Sequence, residues 1–335
     1  MDNITVIGAG SWGTTLAVLL AEKDDKNKVR LWVREPELCA IMRQERENRL
    51  FLPGVKLPDN LIASDSLEDA LSGGAAIIVC VVPSFAIRAV FSEARAFIKG
   101  APVIVSATKG IEEDSLLLSS EVLSQALKGI GCEGMAILSG PSFAKEVSRR
   151  LPAAVSAAAA TESVAKKVQE AFSTPHFRVY TNADATGVEL GGALKNVIAI
   201  ASGISDGLGL GCNARAALIT RGLAEISRLG VKMGANPLTF SGLSGLGDLV
   251  LTCTAGQSRN YSLGYGMGKG AVLSELLSVM KEVAEGVKTA RAAHALSIRH
   301  SVSMPITDAV YDALYAGKSP KQAVLELMTR DLRAE

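Results

Sequence analysis

Short apolar runs alternate with amphipathic segments through the first half of the chain. The runs lie at residues 4–7, 29–33, 75–82, 102–107 and 135–138. The segments between them, at residues 14–22, 35–47, 85–98 and 115–128, have helical composition. Near-continuous apolar strands separated by helices are typical of a parallel sheet that helices cover on both faces. The pattern predicts an α/β domain whose ligands bind at the carboxyl ends of the strands.

The pattern changes to helical periodicity after about residue 189. Ile219, Leu223 and Ile226 fall on one helical face, and Gly230 is expected to end that helix. With 335 residues, the chain also exceeds the ~250–300 residues at which a single core usually stops growing. The sequence therefore predicts a Rossmann-type, parallel-rich sheet domain at residues 1–188 and an all-helical domain at residues 189–335.

Composition and charge exclude several classes of partner. The formal net charge is +1, so no global field recruits nucleic acid or an anionic membrane surface. The five cysteines are far apart and never form a C-x-x-C pair, which favours a reducing compartment over a disulfide or zinc framework. The first strand begins almost at once, without the pattern of a signal peptide, and no apolar run is long enough to span a membrane. We expect a cytoplasmic protein.

The glycine motif at residues 8–13, GAGSWG, lies between the first strand and the first helix. In a Rossmann unit Gly8 would permit the tight turn, Gly10 would let the backbone approach a pyrophosphate, and Gly13 would let the helix pack on the strand. The helix N-terminus would offer free N–H groups to the phosphates. Its position at the start of a βαβ pattern favours nucleotide binding over a turn that merely connects two packed elements.

The second strand ends in Arg34-Glu35, about 20 residues beyond the glycine motif. An acid at this place usually binds the ribose 2′-hydroxyl of NAD, whereas an arginine accommodates the 2′-phosphate of NADP. Arg34 therefore favours NADP over NAD. The alternative is a solvated charge that opens a helix, and the adjacent Glu35 leaves NAD open.

Lys195 lies in a helical segment that is otherwise apolar. Its side chain leans toward the preceding turn, over Gly191 and Gly192, which would leave room for a ligand against the helix. A partly desolvated lysine near another cation can have its pKa lowered enough to act as a general base. The alternative is a lysine that reaches solvent from the helix edge.

Polar groups that suit a phosphorylated substrate follow in the second half. Asp248 and Thr252 fall on one helical face at i,i+4, just after a glycine-rich turn. The run Ser258-Arg259-Asn260 offers hydroxyl, guanidinium and amide donors in succession, and a guanidinium can bind two phosphate oxygens at once. Lys109, on the loop after a strand, supplies a second cation. The three histidines form no metal-binding or catalytic pattern, so we expect no metal, and no G-x-S-x-G motif supports serine hydrolysis.

Taken together, these segments resemble the bacterial form of the NAD(P)-dependent glycerol-3-phosphate dehydrogenase family over nearly the whole chain. The resemblance rests on GAGSWGT at 8–14, NRLFLPG at 48–54, ATKG at 107–110, GPSFAKE at 140–146, GALKNV at 192–197, GLGDLVLT at 245–252, SRN at 258–260 and EGV at 285–287. Thr15, where alanine is commoner in the family, is the one departure we note and does not affect these positions.

The resemblance implies a Rossmann domain joined to a helical domain, with the active site between them, and a homodimer. It implies reversible hydride transfer between NAD(P)H and dihydroxyacetone phosphate, giving sn-glycerol 3-phosphate for glycerophospholipid synthesis. It makes Lys195 the general acid/base. The implied substrate positions are Lys109, Gly140, Ser142, Lys195, Asp248, Ser258, Arg259 and Asn260. The implied cofactor positions, with Gly8, Gly10 and Gly13 from the motif, are Ser11, Trp12, Arg34, Lys109, Ala144, Arg259, Val283 and Glu285.

Two other interpretations remain open from the residues alone. A related β-hydroxyacid or 3-hydroxyacyl dehydrogenase would share the two-domain plan, but the Ser258-Arg259-Asn260 run and the lack of a suitably placed histidine argue against it. A non-catalytic NAD(P)-binding sensor that dimerises through its helical domain is opposed by the intact Lys195.

Overall fold

The chain divides into two compact units in the computed structural model, which describes residues 3–280 and 283–332. The first unit comprises Met1–Lys109 and Leu117–Glu189, and the second comprises Gly110–Leu116 and Leu190–Glu335. The short segment Gly110–Leu116 groups with the second unit although it lies between two strands of the first, which no sequence pattern indicated. The assignment of cofactor and substrate to separate domains stays a prediction.

The first unit is built on one eight-stranded sheet. Its strands are β1 Asn3–Ile7, β2 Lys28–Trp32, β3 Leu61–Ser64, β4 Ile77–Cys80, β5 Val103–Ser106, β6 Gly134–Ser139, β7 Ala153–Ala159 and β8 Phe177–Asn182. Their order across the sheet is β3-β2-β1-β4-β5-β6-β7-β8. All neighbours pair in parallel except β6 and β7, which are antiparallel. The parallel-rich sheet expected from the sequence is confirmed.

Helices flank the strands of this unit. They are α1 Ser11–Lys23, α2 Pro36–Glu45, α3 Leu67–Leu71, α4 Ile87–Ala94, α5 Ser119–Ala126, α6 Ala144–Val147 and α7 Glu162–Phe172. One apolar cluster forms around α1, α2 and α7, and a second forms around α3, α4 and α5. The side chains of β4 and β5 are buried throughout because helices pack against both faces of the sheet.

Helices make up most of the described part of the second unit. The helices are α8 Ala185–Gly207, which begins in the first unit, α9 Gly211–Lys232, α10 Asp248–Thr254, α11 Arg259–Gly268, α12 Leu273–Val279, α13 Glu285–Arg299, α14 Pro305–Tyr315 and α15 Pro320–Met328. The expected helical region is therefore confirmed. Helix α8 is long and apolar enough to cross a membrane by composition, but its most apolar 18-residue window is 100% buried within the protein.

The pattern of apolar runs did not predict three of the strands, β3, β7 and β8. β3 has four residues, β8 has six residues that begin with an alternation of buried and exposed positions, and β7 has the sequence AAVSAAA. Alanine is depleted in strands, so this run carries a weak strand signal. In the structure its last five residues are buried, and the position of β7 between β6 and β8 determines its conformation more strongly than its propensity does.

Two helix expectations need correction. The segment predicted as one helix at residues 85–98 contains α4 between two 3₁₀ turns, Ser84–Ala86 and Arg95–Phe97. The prediction that Gly230 ends its helix is wrong, since α9 continues to Lys232. A Cβ at Gly230 would lie 2.2 Å from Cζ of Phe240, so this glycine makes room for an aromatic ring.

A buried carboxylate caps a helix N-terminus in each unit. Glu189 accepts hydrogen bonds from the backbone N and Oγ of Ser120 on α5, at 2.8 and 2.5 Å. Glu225 on α9 accepts from the backbone N–H groups of Ile306 and Thr307 at the start of α14, at 2.6 and 3.1 Å. These caps satisfy helix N–H groups that would otherwise lack partners. Burial nevertheless raises the pKa of both carboxyls to about 7.

We expect Glu225→Gln to change how stability depends on pH. Because the folded-state pKa of Glu225 is raised, the folded protein holds this proton between about pH 4.5 and 7, where the unfolded chain has released it. Wild-type stability should therefore fall with rising pH across that window, relative to the variant, by up to about 1.4 kcal/mol per pH unit. Urea unfolding at several pH values measures the difference. Exposed Glu93→Gln is the control, and parallel curves for wild type and Glu225→Gln would contradict the account.

Candidate functional site

The glycine motif forms a tight turn at the carboxyl end of β1. Gly8 has φ of +119°, a conformation that favours glycine, and a Cβ on it would lie 2.8 Å from the backbone of Val81. A Cβ on Gly13 would lie 1.9 Å from the carbonyl oxygen of Gly8. Both glycines are therefore required by close packing, Gly8 against the end of β4 and Gly13 against the turn.

Gly10 differs from the other two glycines because the space beside it is open. It is the N-cap residue of α1, and a Cβ built on it would meet nothing within 4 Å. The first turn of α1 contains no acidic residue, and no side chain caps it. A helix N-terminus of this kind attracts phosphate oxygens through its N–H groups and dipole. These features fit a dinucleotide pyrophosphate.

Trp12 supplies a further polar atom at this turn. Its indole Nε1 is buried and has no hydrogen-bond partner within the described chain. Its ring lies near that of Phe177, with centroids 6.3 Å apart. A buried N–H without a partner is uncommon and costs free energy unless a ligand satisfies it. The orphaned donor is consistent with the cofactor position that the resemblance gives to Trp12.

The side chain of Asn48 holds the glycine turn through hydrogen bonds. Its Nδ2 donates to the carbonyl oxygen of Ala9 and to Oγ1 of Thr14, both at 2.8 Å, and its Oδ1 accepts from the N–H of Phe51 at 3.1 Å. The side chain is fully buried. Sequence reasoning used this residue only as part of the NRLFLPG motif and missed its role. A fully buried asparagine next to a glycine loop carries no periodic signal that could have revealed it.

Arg34 lies in solvent after β2, with 71% of its side chain exposed. Its Nε and Nη2 donate to Oε1 of Glu35 at 2.9 and 2.5 Å. A cavity of about 420 Å³ borders this position, and it is lined by Glu35, Glu37, Leu38, Ile41, Arg49 and Leu50. Glu35 thus lines a concave surface that follows β2, and the guanidinium of Arg34, which is not among the lining groups, is paired with that acid.

Three residues that the resemblance assigns to the substrate converge at the ends of β5 and β6. Nζ of Lys109 and Oγ of Ser142 both donate to the carbonyl oxygen of Gly140, at 3.0 and 2.9 Å. Gly140 has φ of +147°, and a Cβ there would be 2.8 Å from Cα of Val155. The structure therefore brings Lys109, Gly140 and Ser142 together at one edge of the sheet.

Thr15 connects this edge to the first turn of α1. Its Oγ1 lies 2.8 Å from the carbonyl oxygen of Ser11 and 3.3 Å from that of Ala144, the first residue of α6. Ser11 and Ala144 are both cofactor positions by the resemblance. The hydroxyl that replaces the commoner alanine is thus accommodated by hydrogen bonding between α1 and α6.

Lys195 is buried in the second unit, where it contacts a carboxylate and a hydroxyl on α10. Only 6% of Lys195 and 1% of Asp248 are exposed. Nζ forms an ion pair with Oδ1 of Asp248 and donates to Oγ1 of Thr252 at 2.9 Å. Thr252 in turn donates to the backbone oxygen of Asp248 at 2.6 Å. The expected i,i+4 face of Asp248 and Thr252 is confirmed, and both side chains meet the lysine.

This geometry bears on two expectations about Lys195. Nζ contacts the carboxylate of Asp248, and the neighbouring cation that the sequence interpretation invoked stays a prediction. A carboxylate contact favours the protonated ammonium. The expectation that Gly191 leaves room for a ligand is wrong, because a Cβ there would lie 2.5 Å from the carbonyl oxygen of Ser244. Gly191 instead lets α8 approach the turn that precedes Asp248.

Cys253 is a titratable side chain close to this ion pair. It is fully buried, and burial raises the pKa of its thiol to about 12 despite the nearby charge of Lys195. The thiol therefore stays neutral at neutral pH. It is not a competing nucleophile or base in this cluster.

Asn260 links three helices of the second unit. Its Nδ2 donates to Oδ1 of Asn196, the neighbour of Lys195 on α8, at 3.0 Å. Its Oδ1 accepts from the N–H of Gly286, in the first turn of α13, also at 3.0 Å. A Cβ on Gly286 would lie 2.7 Å from this same oxygen. Asn260 is buried, so these contacts fix α11 against both α8 and α13.

Ser258 and Arg259 begin α11 beside the same junction. Oγ of Ser258 accepts from the N–H of Tyr261 at 3.2 Å, which makes Ser258 the N-cap. Nη1 of Arg259 donates to the carbonyl oxygen of Val283 at 3.1 Å. Glu285 is the first residue of α13, two positions beyond Val283. The structure thus brings the predicted substrate residues of α11 to the predicted cofactor residues at 283 and 285.

No group of three or more His, Cys, Asp or Glu side chains that could hold a metal ion occurs among residues 3–280 and 283–332. The cations of the candidate site are lysine and arginine side chains. In the first unit the N-terminus of α1 could attract an anion, and in the second unit Arg259 and the N-terminus of α11 could do so.

Comparison with known proteins identifies the family. Residues 3–165 match the model described as the NAD-dependent glycerol-3-phosphate dehydrogenase N-terminus, and residues 184–325 match the model of the C-terminus of the same family. The two matches cover most of the chain and preserve its order. This chain belongs to the NAD-dependent glycerol-3-phosphate dehydrogenase family.

Individual relatives agree with that assignment. The chain is 56% identical over 334 residues to the glycerol-3-phosphate dehydrogenase (NAD(P)+) of Citrifermentans bemidjiense, covering 100% of this chain and 99% of the relative. It is 57% identical, with the same coverage, to the protein of that name from Geobacter sp. strain M21. The crystal structure of glycerol-3-phosphate dehydrogenase from Coxiella burnetii matches with a TM-score of 0.93 and 43% identity, over 98% of this chain and 99% of that one.

Proposed function

We propose that this chain catalyses the reversible, NAD(P)-dependent interconversion of dihydroxyacetone phosphate and sn-glycerol 3-phosphate. The single observation that carries the proposal is the buried contact of Lys195 with Asp248 and Thr252. It supports a lysine acid on an apolar helix, whose next residue, Asn196, accepts a hydrogen bond from Asn260 in the turn that also bears Ser258 and Arg259. Membership of the glycerol-3-phosphate dehydrogenase family supports the choice of substrate.

Lys195 acts as the general acid in the reducing direction. When bound, the reduced nicotinamide supplies the hydride. As the carbonyl carbon of the substrate is reduced, negative charge grows on its oxygen, and the Lys195 ammonium donates a proton to that oxygen. In the opposite direction the neutral amine accepts the hydroxyl proton. Because Nζ is buried, water screens its interaction with the developing charge less than it would at the surface.

Asp248 and Thr252 position the lysine and stabilise its charged form. Two of the three ammonium hydrogens are directed at Asp248 Oδ1 and Thr252 Oγ1. These contacts restrict the rotation of a long side chain with much conformational freedom, which leaves less entropy to lose when substrate binds. The carboxylate also keeps the amine protonated until the substrate oxygen needs the proton.

The substrate phosphate binds at the N-terminal turn of α11. Arg259 can contact two phosphate oxygens, and the dipole of a ten-residue helix favours an anion at this end. Ser258 and Asn260 are already engaged in hydrogen bonds that hold the turn, so their remaining hydrogen-bonding capacity would be pre-oriented. Lys109, Gly140 and Ser142 complete the substrate set that the resemblance implies.

NADP is the preferred cofactor in this proposal, with NAD also accepted. Gly8, Gly10, Ser11, Trp12 and Gly13 form the turn for the pyrophosphate. Arg34 lies at the end of β2, where a 2′-phosphate would be expected, and its exposed guanidinium is available to exchange Glu35 for that phosphate. Ala144, Arg259, Val283 and Glu285 remain proposed cofactor positions.

We expect Lys195→Met to lower kcat for dihydroxyacetone phosphate by about 10²–10⁴-fold, since it removes the proton donor. NADPH oxidation followed at 340 nm measures the loss, with exposed Lys321→Met as the control. Because Asp248 would be left buried without its partner, Lys195→Met/Asp248→Asn is assayed in parallel, and NADPH binding shows that the first unit is intact. Unchanged turnover in the folded variants would overturn the mechanism.

The same assay on the wild type distinguishes the two alternative functions. A wild type that is inactive with dihydroxyacetone phosphate but active with another ketone would favour a related dehydrogenase. A wild type that binds NADPH but turns over no substrate would favour a non-catalytic sensor.

We expect Arg34→Gln to lower the ratio of kcat/KM with NADPH to that with NADH by about 10-fold or more, since a charge-assisted hydrogen bond is worth ~1.5–3 kcal/mol. Glu35→Gln is the matched variant: it frees Arg34 from its present partner and should raise the ratio. A ratio that neither substitution changes would show that Arg34 does not select the cofactor.

We also propose that the protein is a cytoplasmic homodimer that supplies sn-glycerol 3-phosphate for glycerophospholipid synthesis. The family resemblance is the support for this arrangement and role, together with the cysteine pattern for the compartment. Light scattering coupled to size exclusion should give twice the mass of the chain. A particle with the mass of a single chain at micromolar concentration would contradict the dimer.

A further inference from the structure

Helices α8 and α11 cross at four glycines, two from each helix, spaced four residues apart. Each glycine faces a backbone atom of the opposite helix at a distance that leaves no room for a side chain. A Cβ would lie 2.0 Å from Tyr261 O at Gly203, 2.5 Å from Tyr265 O at Gly207, 2.1 Å from Ile200 O at Gly264, and 2.5 Å from Ile204 O at Gly268. The contacts are reciprocal, so both backbones depend on the same absence of Cβ atoms.

These glycines carry a conformational cost that needs a compensating gain. Glycine is a poorer helix former than alanine in a helix interior, so Gly203 and Gly264, which lie inside their helices, weaken α8 and α11 taken separately, whereas Gly207 and Gly268 are the last residues of these helices. Alanines would make each separate helix more stable. They would also force the backbones apart, since real Cβ contacts essentially never fall below 3.0 Å. At Gly264 the required separation is about 1 Å, the difference between 3.0 and 2.1 Å.

The crossing lies close to residues of the proposed active site. Asn260, in the first turn of α11, reaches Asn196 of α8 with a hydrogen bond of 3.0 Å, and Asn196 adjoins Lys195. A separation of about 1 Å would stretch this contact to about 4 Å, beyond the range of a hydrogen bond. The same movement would displace Ser258 and Arg259, which precede Asn260 on the same turn. The spacing of the helices therefore sets the spacing of these groups.

A polar cluster that joins α8, α9 and α11 restrains rotation of α11 about the crossing. Oδ2 of Asp206, near the end of α8, accepts from the hydroxyl of Tyr261 and from Nη1 of Arg215, both at 2.6 Å. Tyr261 follows Asn260 directly. The glycines thus set the distance between α8 and α11, and Asp206 restrains the orientation of α11 relative to α8.

We propose that Gly203, Gly207, Gly264 and Gly268 are positioning residues for the reaction, because they hold the phosphate-binding turn of α11 at a fixed distance from Lys195 on α8. This inference rests on the proposed function and names a determinant of substrate affinity that lies outside the site itself. A misplacement of about 1 Å is enough to weaken a catalytic arrangement by up to ~10²-fold.

The test compares Gly264→Ala with Gly266→Ala in the full chain. Gly266 lies on the same helix, but a Cβ there would meet only the end of the Leu276 side chain, at 2.7 Å, which can rotate away. We expect Gly264→Ala to raise KM for dihydroxyacetone phosphate at least tenfold, and Gly266→Ala to leave it within twofold of wild type. If the crossing contributed stability alone, Gly264→Ala would lower the melting temperature and the active fraction but leave KM unchanged, which would overturn the proposal.

Gly268→Ala provides a second, milder variant in case Gly264→Ala does not fold. It lies one turn farther from the 258–260 segment and requires a separation of about 0.5 Å, from 2.5 to 3.0 Å. We expect its KM to rise about threefold, between the values for Gly266→Ala and Gly264→Ala. A KM equal to that of wild type in this folded variant would contradict the proposal.

Amide hydrogen exchange separates this inference from the proposed function, because it needs no turnover. Displacement of α11 should speed exchange at residues 258–262 and at Gly286 at least tenfold in Gly264→Ala, and leave α10 unchanged. If the wild type failed to reduce dihydroxyacetone phosphate, the proposed function would fail. Faster exchange confined to these amides would still support the positioning role, and unchanged exchange would contradict it.

Discussion

The ion pair of Lys195 with Asp248 is the interaction on which the second unit depends. Removing an ammonium and a carboxylate from water costs several kcal/mol per ion, and only a close, hydrogen-bonded contact can offset that cost. Both groups are almost fully buried, and Thr252 supplies a further polar contact to Nζ. The pair therefore fixes α8 against α10.

Close backbone contacts at glycines make such polar contacts possible in both units. Gly13 allows α1 to contact the turn at Gly8, Gly191 allows α8 to approach Ser244, and Gly264 allows α11 to reach Ile200. Each substitution by alanine would move a backbone that carries a candidate binding group. Glycine thus occurs at positions where two backbones must come close so that candidate functional groups lie near each other. Gly10 differs, because the space beside it is open.

Much of the fold follows from local patterns. Apolar runs give β1, β2, β4, β5 and β6 to within a few residues, and helical spacing puts Asp248 and Thr252 on one face. The pattern fails where a distant partner decides the outcome. Alanine-rich β7 becomes a strand because β6 and β8 pair with it. Gly230 lies inside α9 rather than at its end, because its missing Cβ makes room for the ring of Phe240.

The same limit applies to the site. The resemblance selects Lys195, Arg259 and Asn260, but periodicity does not reveal that Asn260 joins Asn196 to Gly286, or that Asn48 holds the glycine turn. These contacts join residues from 26 to 64 positions apart in the chain, and each depends on how helices or loops pack. Arg34 shows the converse: its place at the end of β2 follows from the pattern, whereas its pairing with Glu35 is visible only in the structure.

The most direct measurement is a crystal structure of the protein with dihydroxyacetone phosphate and oxidised NADP, a combination that cannot react. We expect the carbonyl oxygen within about 2.7–3.2 Å of Nζ of Lys195, while the lysine keeps its contact with Asp248. We also expect the substrate phosphate at Arg259 and the first turn of α11. A carbonyl oxygen bound by another donor, with Nζ more than about 5 Å away, would contradict the assignment of Lys195 as the acid/base.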